Sequence, residues 1–228
     1  DYSEINFKRN ESLVEIIGEE IDNQFIKDSI LNGKVGDSKR EDYKIVFTPL
    51  HGTSYKILPK VLKGAGYKDL HVVKEQAIPD GNFPTVKSPN PEEPEALKMA
   101  IELARNKDAD IVIGTDPDAD RVGIAIKDQD GEYMTLNGNQ MMVILTDYLL
   151  SKKKNLDKSY FVGSTIVSTQ MMFNIAKSYN VDIKLGLTGF KWIAKMINDF
   201  SNQKFIGGGE ESYGFMVGDF VRDKDAIT

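Results

Sequence analysis

Cysteine is absent from this sequence of 228 residues, and histidine occurs only twice. The lack of cysteine excludes disulfides and thiolate chemistry. The two histidines fall on different predicted elements, so a zinc site is not expected. No apolar run approaches the ~20 residues that a membrane-spanning helix needs, and no signal peptide is recognisable. We therefore expect a cytoplasmic protein that makes no membrane contact.

Positive charge is also in deficit, since 29 lysines and arginines stand against 35 aspartates and glutamates, giving a formal net charge of −6. This balance argues against nucleic acid or an anionic membrane surface as the main partner. The length is sufficient for one large domain or two modest ones, each with its own core.

Short apolar strands alternate with helices along the chain. A predicted strand at residues 45–47 leads into a helix at 55–65, and a later strand leads into a helix that Ser168 is expected to cap. A proline-rich segment, 79–94, predicts an ordered loop, with Asn90 starting a helix that reaches about residue 106. The alternation predicts an α/β fold with a mostly parallel sheet and helices on its faces.

The most unusual loop places Asp116, Asp118 and Asp120 at alternate positions, with Arg121 directly after them. Apolar runs at residues 111–113 and 122–126 flank it, which predicts a tight loop between two buried strands. Two unit charges about 4 Å apart repel by roughly 4 kcal/mol at an effective dielectric of about 20. A hard cation such as Mg²⁺, Ca²⁺ or Mn²⁺ would relieve that repulsion.

Three interpretations of this acidic loop compete. The first is an ordinary exposed acidic turn. The second is an EF-hand, which requires Gly at the sixth position and Glu at the twelfth. Those positions, counted from Asp116, hold Arg121 and Lys127, so the EF-hand fails. The third is a catalytic metal loop in which Arg121 faces an anion, most simply a phosphate.

Two downstream segments also carry candidate site residues. Thr188-Gly189 opens a predicted helix whose first turn contains Lys191, where a cation opposes the helix dipole unless it shares an anion with the helix amides. After three consecutive glycines, Glu210 and Ser212 project to one side of an extended loop, an arrangement suited to vicinal sugar hydroxyls. An ordinary hairpin turn is the alternative. His51 is left open between a site role and simple packing.

Residues 116–121 resemble the metal-binding loop of the α-D-phosphohexomutases, the phosphoglucomutase/phosphomannomutase family. Residues 188–191 and 209–214 resemble the substrate loops of that family's third domain, and the three motifs occur in the family's order. The resemblance implies two consecutive three-layer α/β domains with mixed, mostly parallel sheets. Residues 1–131 would be domain II, with a linker over the first ten residues, and residues 132–228 would be domain III.

The resemblance also implies an activity, which is Mg²⁺-dependent transfer of a phosphoryl group between O1 and O6 of a hexose phosphate. The transfer would run through a phosphoserine and a sugar bisphosphate, with glucose 1,6-bisphosphate as activator. Asp116, Asp118 and Asp120 would hold one Mg²⁺, Arg121 would be catalytic, and the substrate would contact Thr188, Gly189, Lys191, Glu210 and Ser212. No residue is assigned as the general acid or base.

The family's Ser-His-Asn and Ser-Gly-Thr loops do not occur in this sequence. We therefore expect the chain to be the central two domains of a longer enzyme, inactive without its N- and C-terminal domains. A phosphopentomutase and a glucose 1,6-bisphosphate synthase are alternatives within the family. Outside it, the alternatives are a phosphatase with an Asp-x-Asp nucleophile and a non-catalytic module that binds metal or sugar phosphate.

Overall fold

The computed structural model describes Lys8 and residues 10–228, so the predicted linker over the first ten residues lies almost wholly outside the described part. The described chain forms two sheets, each covered by helices on both faces. Within this part, no helix has both the length and the apolar character needed to cross a membrane.

The first sheet has five strands in the order β2-β1-β3-β4-β5. They are β1 (Lys44–Thr48), β2 (Asp69–Val72), β3 (Ile111–Thr115), β4 (Val122–Lys127) and β5 (Tyr133–Leu136). Strand β1 pairs in parallel with β2 and β3, whereas β4 pairs antiparallel with β3 and β5. The acidic loop is therefore the turn of the β3–β4 hairpin.

Alternation of side chains along the strands builds the two cores of this first unit. Phe47 faces helices α1 (Gly18–Gly33) and α2 (Ile57–Ala65), while its neighbour Val46 faces α3 (Lys98–Lys107) on the opposite side of the sheet. Alanines of α3 bring that helix close to the strands.

The second sheet has four strands in the order β7-β6-β8-β9. They are β6 (Tyr160–Thr165), β7 (Asp182–Gly186), β8 (Lys204–Gly209) and β9 (Phe215–Val217), and only the β8–β9 ladder is antiparallel. One face packs against α4 (Gly138–Ser151) and α5 (Met171–Ser178), and the other face packs against α6 (Lys191–Asp199).

The last residues of the chain return from the second unit to the first. Ile227 is buried against Phe47 and Leu58, and the backbone N–H of Ala226 donates to the carbonyl of Ala119, 3.0 Å away. This return brings the segment before Ile227 next to the acidic loop.

The predicted fold class is confirmed, with two three-layer α/β units and mixed sheets, the second mostly parallel. The division of the chain at residue 131 remains a prediction. Strand β5 was not expected, and its pairing with β4 extends the first sheet to Leu136.

Two expected helix starts are wrong. Asn90 accepts a hydrogen bond from the backbone of Glu92, but it closes a turn, and α3 begins only at Lys98. Pro94 explains the delay, because its nitrogen cannot donate the first helical hydrogen bond and its ring disfavours the helical conformation of the residue before it. Ser168 does not cap α5, whose N-cap is Gln170; the Ser168 hydroxyl donates to Glu211 instead.

Candidate functional site

The β3–β4 hairpin gathers the three aspartates that the sequence singles out. Thr115 pairs with Val122 at the base of the loop, so residues 116–121 form the connection. One carboxylate oxygen from each of Asp116, Asp118 and Asp120 lies within 4.8 Å of the others. The loop is not a fully exposed turn, because Asp116 is only 1% exposed, although Asp118 lies on the surface.

Asp116 organises the loop from within. Its Oδ1 accepts hydrogen bonds from the backbone N–H groups of Asp120 and Arg121, at 3.0 and 2.9 Å, and its Oδ2 accepts one from Nε of Arg121 at 2.7 Å. Burial raises the pKa of Asp116 to about 6, although the hydrogen bonds from Arg121 oppose this rise. Asp116 is thus both a candidate ligand and the residue that fixes Arg121.

Arg121 is held from its other side by the proline-rich loop. Its NH1 group lies 3.1 Å from Oε1 of Glu92 and 3.3 Å from Oδ1 of Asn90. Burial acts to lower the pKa of Arg121, but the hydrogen bonds and charges of Asp116 and Glu92 outweigh it and raise that pKa. The sequence predicted an ordered proline-rich loop but did not indicate that these two residues, about thirty positions before the arginine, contact it.

Lys224 is a further candidate site residue, which the sequence motifs did not indicate. Its Nζ lies 2.7 Å from Oδ2 of Asp120, and its side chain packs against Gly214, where an added Cβ would lie 2.9 Å from the lysine Cδ. No local sequence pattern indicated this contact, since Lys224 reaches the loop only because the chain returns to the first unit.

Asp118 differs from the other two aspartates, being exposed and making no side-chain hydrogen bond or ion pair within the described residues.

The β8–β9 hairpin brings together the two predicted substrate loops. Glu210 is 5% exposed, and its Oε1 accepts a hydrogen bond from the backbone N–H of Gly189 at 2.7 Å. Gly189 has φ +114°, which a residue with a Cβ rarely adopts. Around this contact, Thr188 and Lys191 are exposed and Ser212 is partly exposed. The turn is a hairpin as the alternative supposed, but one tied to the Gly189 loop.

The neighbouring Glu211 anchors a different loop. Its Oε2 accepts a hydrogen bond from the Ser168 hydroxyl at 2.7 Å. Gly138, the first residue of α4, approaches the Glu211 carbonyl so closely that an added Cβ would lie 1.8 Å from the oxygen. Glu211 and Glu210 therefore hydrogen-bond the loops after β6 and β7, respectively, to the turn between β8 and β9.

The acidic loop and the substrate hairpin are adjacent. The backbone N–H of Val122 donates to the carbonyl of Tyr213 at 3.4 Å, and Lys224 contacts both Asp120 and Gly214. The structure thus joins a carboxylate cluster from the first unit to a carboxylate and hydroxyl from the second.

The ring of His51 contacts the proline-rich loop, where it has a packing role. It is 4% exposed, and its Nδ1 and Nε2 lie 3.1 Å from the Ile78 carbonyl and 2.8 Å from the Thr85 hydroxyl. These contacts attach the proline-rich loop to the end of β1. His71 pairs with Asp69 on β2.

Comparison with known proteins identifies the class of protein to which this fold and site belong. Residues 23–131 match the model of phosphoglucomutase/phosphomannomutase, alpha/beta/alpha domain II, and residues 137–228 match the model of domain III. The chain belongs to the phosphoglucomutase/phosphomannomutase family, the α-D-phosphohexomutases, and carries that family's central domains.

Individual relatives agree with this assignment. The chain is 42% identical to a phosphoglucomutase of Staphylococcus epidermidis over 218 residues, which are 95% of this chain and 39% of the relative. It therefore spans well under half the length of that curated relative.

Two solved structures share the fold. A phosphoglucomutase/phosphomannomutase family protein from Burkholderia thailandensis superimposes with a TM-score of 0.73 at 18% identity, over 91% of this chain and 41% of that one. The N-acetylphosphoglucosamine mutase of Aspergillus fumigatus, solved in complex with GlcNAc-6P and magnesium, gives a TM-score of 0.55 at 13% identity, over 86% and 39%.

Proposed function

We propose that this chain supplies the metal-binding and sugar-binding parts of a phosphohexomutase that moves a phosphoryl group between O1 and O6 of a hexose phosphate. The single observation that carries the proposal is the contact of the two loops through Lys224, which pairs with Asp120 while packing on Gly214. A metal held by the first loop would then lie beside a sugar held by the second.

The donor set fits Mg²⁺. Asp116, Asp118 and Asp120 offer one carboxylate oxygen each within 4.8 Å of the others, and hard oxygen ligands are those that Mg²⁺ prefers. Magnesium in the A. fumigatus mutase agrees with this choice. When bound, one Mg²⁺ per chain would neutralise charge on a transferring phosphoryl group and help to orient it.

Arg121 is the proposed catalytic side chain. Its Nε and NH1 groups are engaged by Asp116 and Glu92, which fixes the plane of the guanidinium. The side chain remains 29% exposed, so part of it can face a phosphate. A guanidinium held in one plane suits a phosphoryl group because its donors match the spacing of phosphate oxygens.

The substrate side is proposed to consist of Glu210, Ser212 and the loop of Thr188, Gly189 and Lys191. Glu210 uses Oε1 to hold Gly189, which leaves Oε2 to accept hydrogen bonds from a sugar hydroxyl. Lys191 is exposed at the start of α6, where it can share an anionic group with the helix N-terminus. Hexose phosphate is therefore the proposed ligand.

The phosphoserine is proposed to come from a domain that precedes this chain in the longer enzyme. A further phosphate-binding domain would follow this chain. The chain matches only 39% of the S. epidermidis enzyme, which leaves room for both. We accordingly propose that the chain alone is inactive, that the enzyme is cytoplasmic, and that glucose 1,6-bisphosphate is its activator.

A mutase assay tests this proposal. The chain and a version extended at both ends to the length of the relatives would be assayed for conversion of glucose 1-phosphate to glucose 6-phosphate, with Mg²⁺ and a trace of glucose 1,6-bisphosphate. Turnover by the extended protein alone is expected. Tight Mg²⁺-dependent binding of the bisphosphate without turnover would favour a non-catalytic module. Turnover only with ribose 1-phosphate would favour a phosphopentomutase.

A further inference from the structure

The carbonyl of Pro117, in the middle of the acidic loop, receives two hydrogen bonds from one residue of the β1–α2 connection. The backbone N–H of Thr53 donates to it at 2.8 Å, and the Thr53 hydroxyl donates to it at 3.1 Å. None of the three aspartates takes part in this contact, and the sequence motifs gave no indication of it.

The residues on either side of Thr53 strengthen the same junction. A Cβ added to Gly52 would lie 2.3 Å from Cα of Pro117, so only glycine permits this approach. The buried hydroxyls of Ser54 and Thr115 are 2.6 Å apart, which joins the connection to the end of β3 just before the loop. The acidic loop is therefore seated on residues 52–54.

The accepting carbonyl lies directly before Asp118, one of the candidate metal ligands. The Pro117 oxygen belongs to the peptide group that joins Pro117 to Asp118. The Asp116 and Asp120 side chains are held by Arg121 and Lys224, whereas the Asp118 side chain has no partner within the described residues. The placement of the Asp118 side chain therefore depends on its own backbone, and the Pro117–Asp118 peptide of that backbone is held by Thr53.

We propose that Thr53 is a positioning residue for the divalent-cation site, acting through the Pro117–Asp118 peptide. It places the backbone of the one candidate ligand whose side chain no other residue holds, a supporting role comparable to that of residues behind metal ligands. This inference rests on the metal-binding part of the proposed function and adds to it a residue outside the three family motifs.

The test measures Mn²⁺ affinity by electron paramagnetic resonance on the chain as it stands, without any assay of turnover. Thr53→Val removes the hydroxyl donor while keeping the shape and the backbone N–H. Its Mn²⁺ affinity is expected to fall by roughly tenfold, the usual size of such effects. Thr53→Ser keeps the donor and should retain near-wild-type affinity. Thr135→Val on β5 is the matched control, since its hydroxyl makes no hydrogen bond in the described structure.

The possible results distinguish the positioning role of Thr53 from the existence of the metal site itself. If Thr53→Val binds Mn²⁺ as tightly as the wild type, or if Thr53→Ser and Thr135→Val are weakened equally, the positioning role is wrong while the metal site stands. If the wild-type chain binds no Mn²⁺, both the metal site and this inference are overturned. Should Thr53→Val lower the metal-free melting temperature, the titrations are repeated at a temperature at which both proteins are fully folded, and the roughly tenfold loss of Mn²⁺ affinity must persist.

Discussion

The carboxylate of Glu210 and the backbone N–H of Gly189 are joined by a hydrogen bond of 2.7 Å, which links two loops that lie far apart in the sequence. The contact is buried on the Glu210 side, and Gly189 adopts a left-handed conformation to make it. Glu210 therefore has a structural task besides the proposed binding of sugar hydroxyls. The two tasks can be separated, because an amide oxygen can perform the first without the charge that favours the second.

Replacing Glu210 tests that separation. Glu210→Gln keeps an acceptor for Gly189 and should leave the free energy of unfolding almost unchanged, while glucose 1,6-bisphosphate binds more weakly. Glu210→Ala leaves the N–H without its partner and should lower the free energy of unfolding by about 1–3 kcal/mol. Urea unfolding and calorimetric titration measure the two effects. Equal loss of stability in both variants would contradict the structural role of the acceptor.

Asp118 gives a cleaner test of the metal site than either of its neighbours. Because its side chain is exposed and makes no hydrogen bond or ion pair in the described structure, Asp118→Asn should not lower the urea midpoint. Mn²⁺ binding should fall at least tenfold, since the amide removes one charged ligand of three. Asp130→Asn, in the exposed turn before β5, controls for loss of a surface charge. Unchanged Mn²⁺ affinity in Asp118→Asn would exclude the acidic loop as the metal site.

The acidic hairpin was predictable because its signal is local. Two apolar runs define β3 and β4, and the charges between them define the loop. The same reasoning predicted strand β6 and the loops after β7 and β8. Short-range patterns were sufficient wherever periodicity and turn residues decide the structure.

Sequence reasoning failed where distant parts of the chain meet. Three residues reach the acidic loop through tertiary contacts that no local sequence pattern predicts, namely Glu92, Lys224 and Thr53. Ser168 looked like a helix cap, but a carboxylate more than forty positions away captures its hydroxyl. The helix expected directly after Asn90 is absent for a local reason, because Pro94 delays the start of α3 to Lys98.

Removal of the Arg121 charge should destabilise the fold through Asp116. The carboxylate of Asp116 is 1% exposed and has its 2.7 Å ion pair with Arg121. Arg121→Gln should therefore cost roughly 3 kcal/mol, the penalty for leaving a buried charge without its partner. Asp116→Asn in the same chain removes that uncompensated charge and should restore part of the loss. A double-mutant cycle by urea unfolding measures the coupling, and additive effects would show that the pair does not act as a unit.

Two buried threonines should respond in opposite directions to the same substitution. The Thr146 hydroxyl on α4 is buried and has no hydrogen-bond partner within the described residues, so Thr146→Val should keep or raise stability, by up to about 1 kcal/mol. The Thr165 hydroxyl lies 2.8 Å from that of Ser168, in the network that ends at Glu211. Thr165→Val should lower stability by about 1–2 kcal/mol because it leaves buried polar atoms unpaired. Thermal and urea unfolding measure both. A loss in Thr146→Val as large as in Thr165→Val would mean that the α4 hydroxyl has a partner, most simply a buried water.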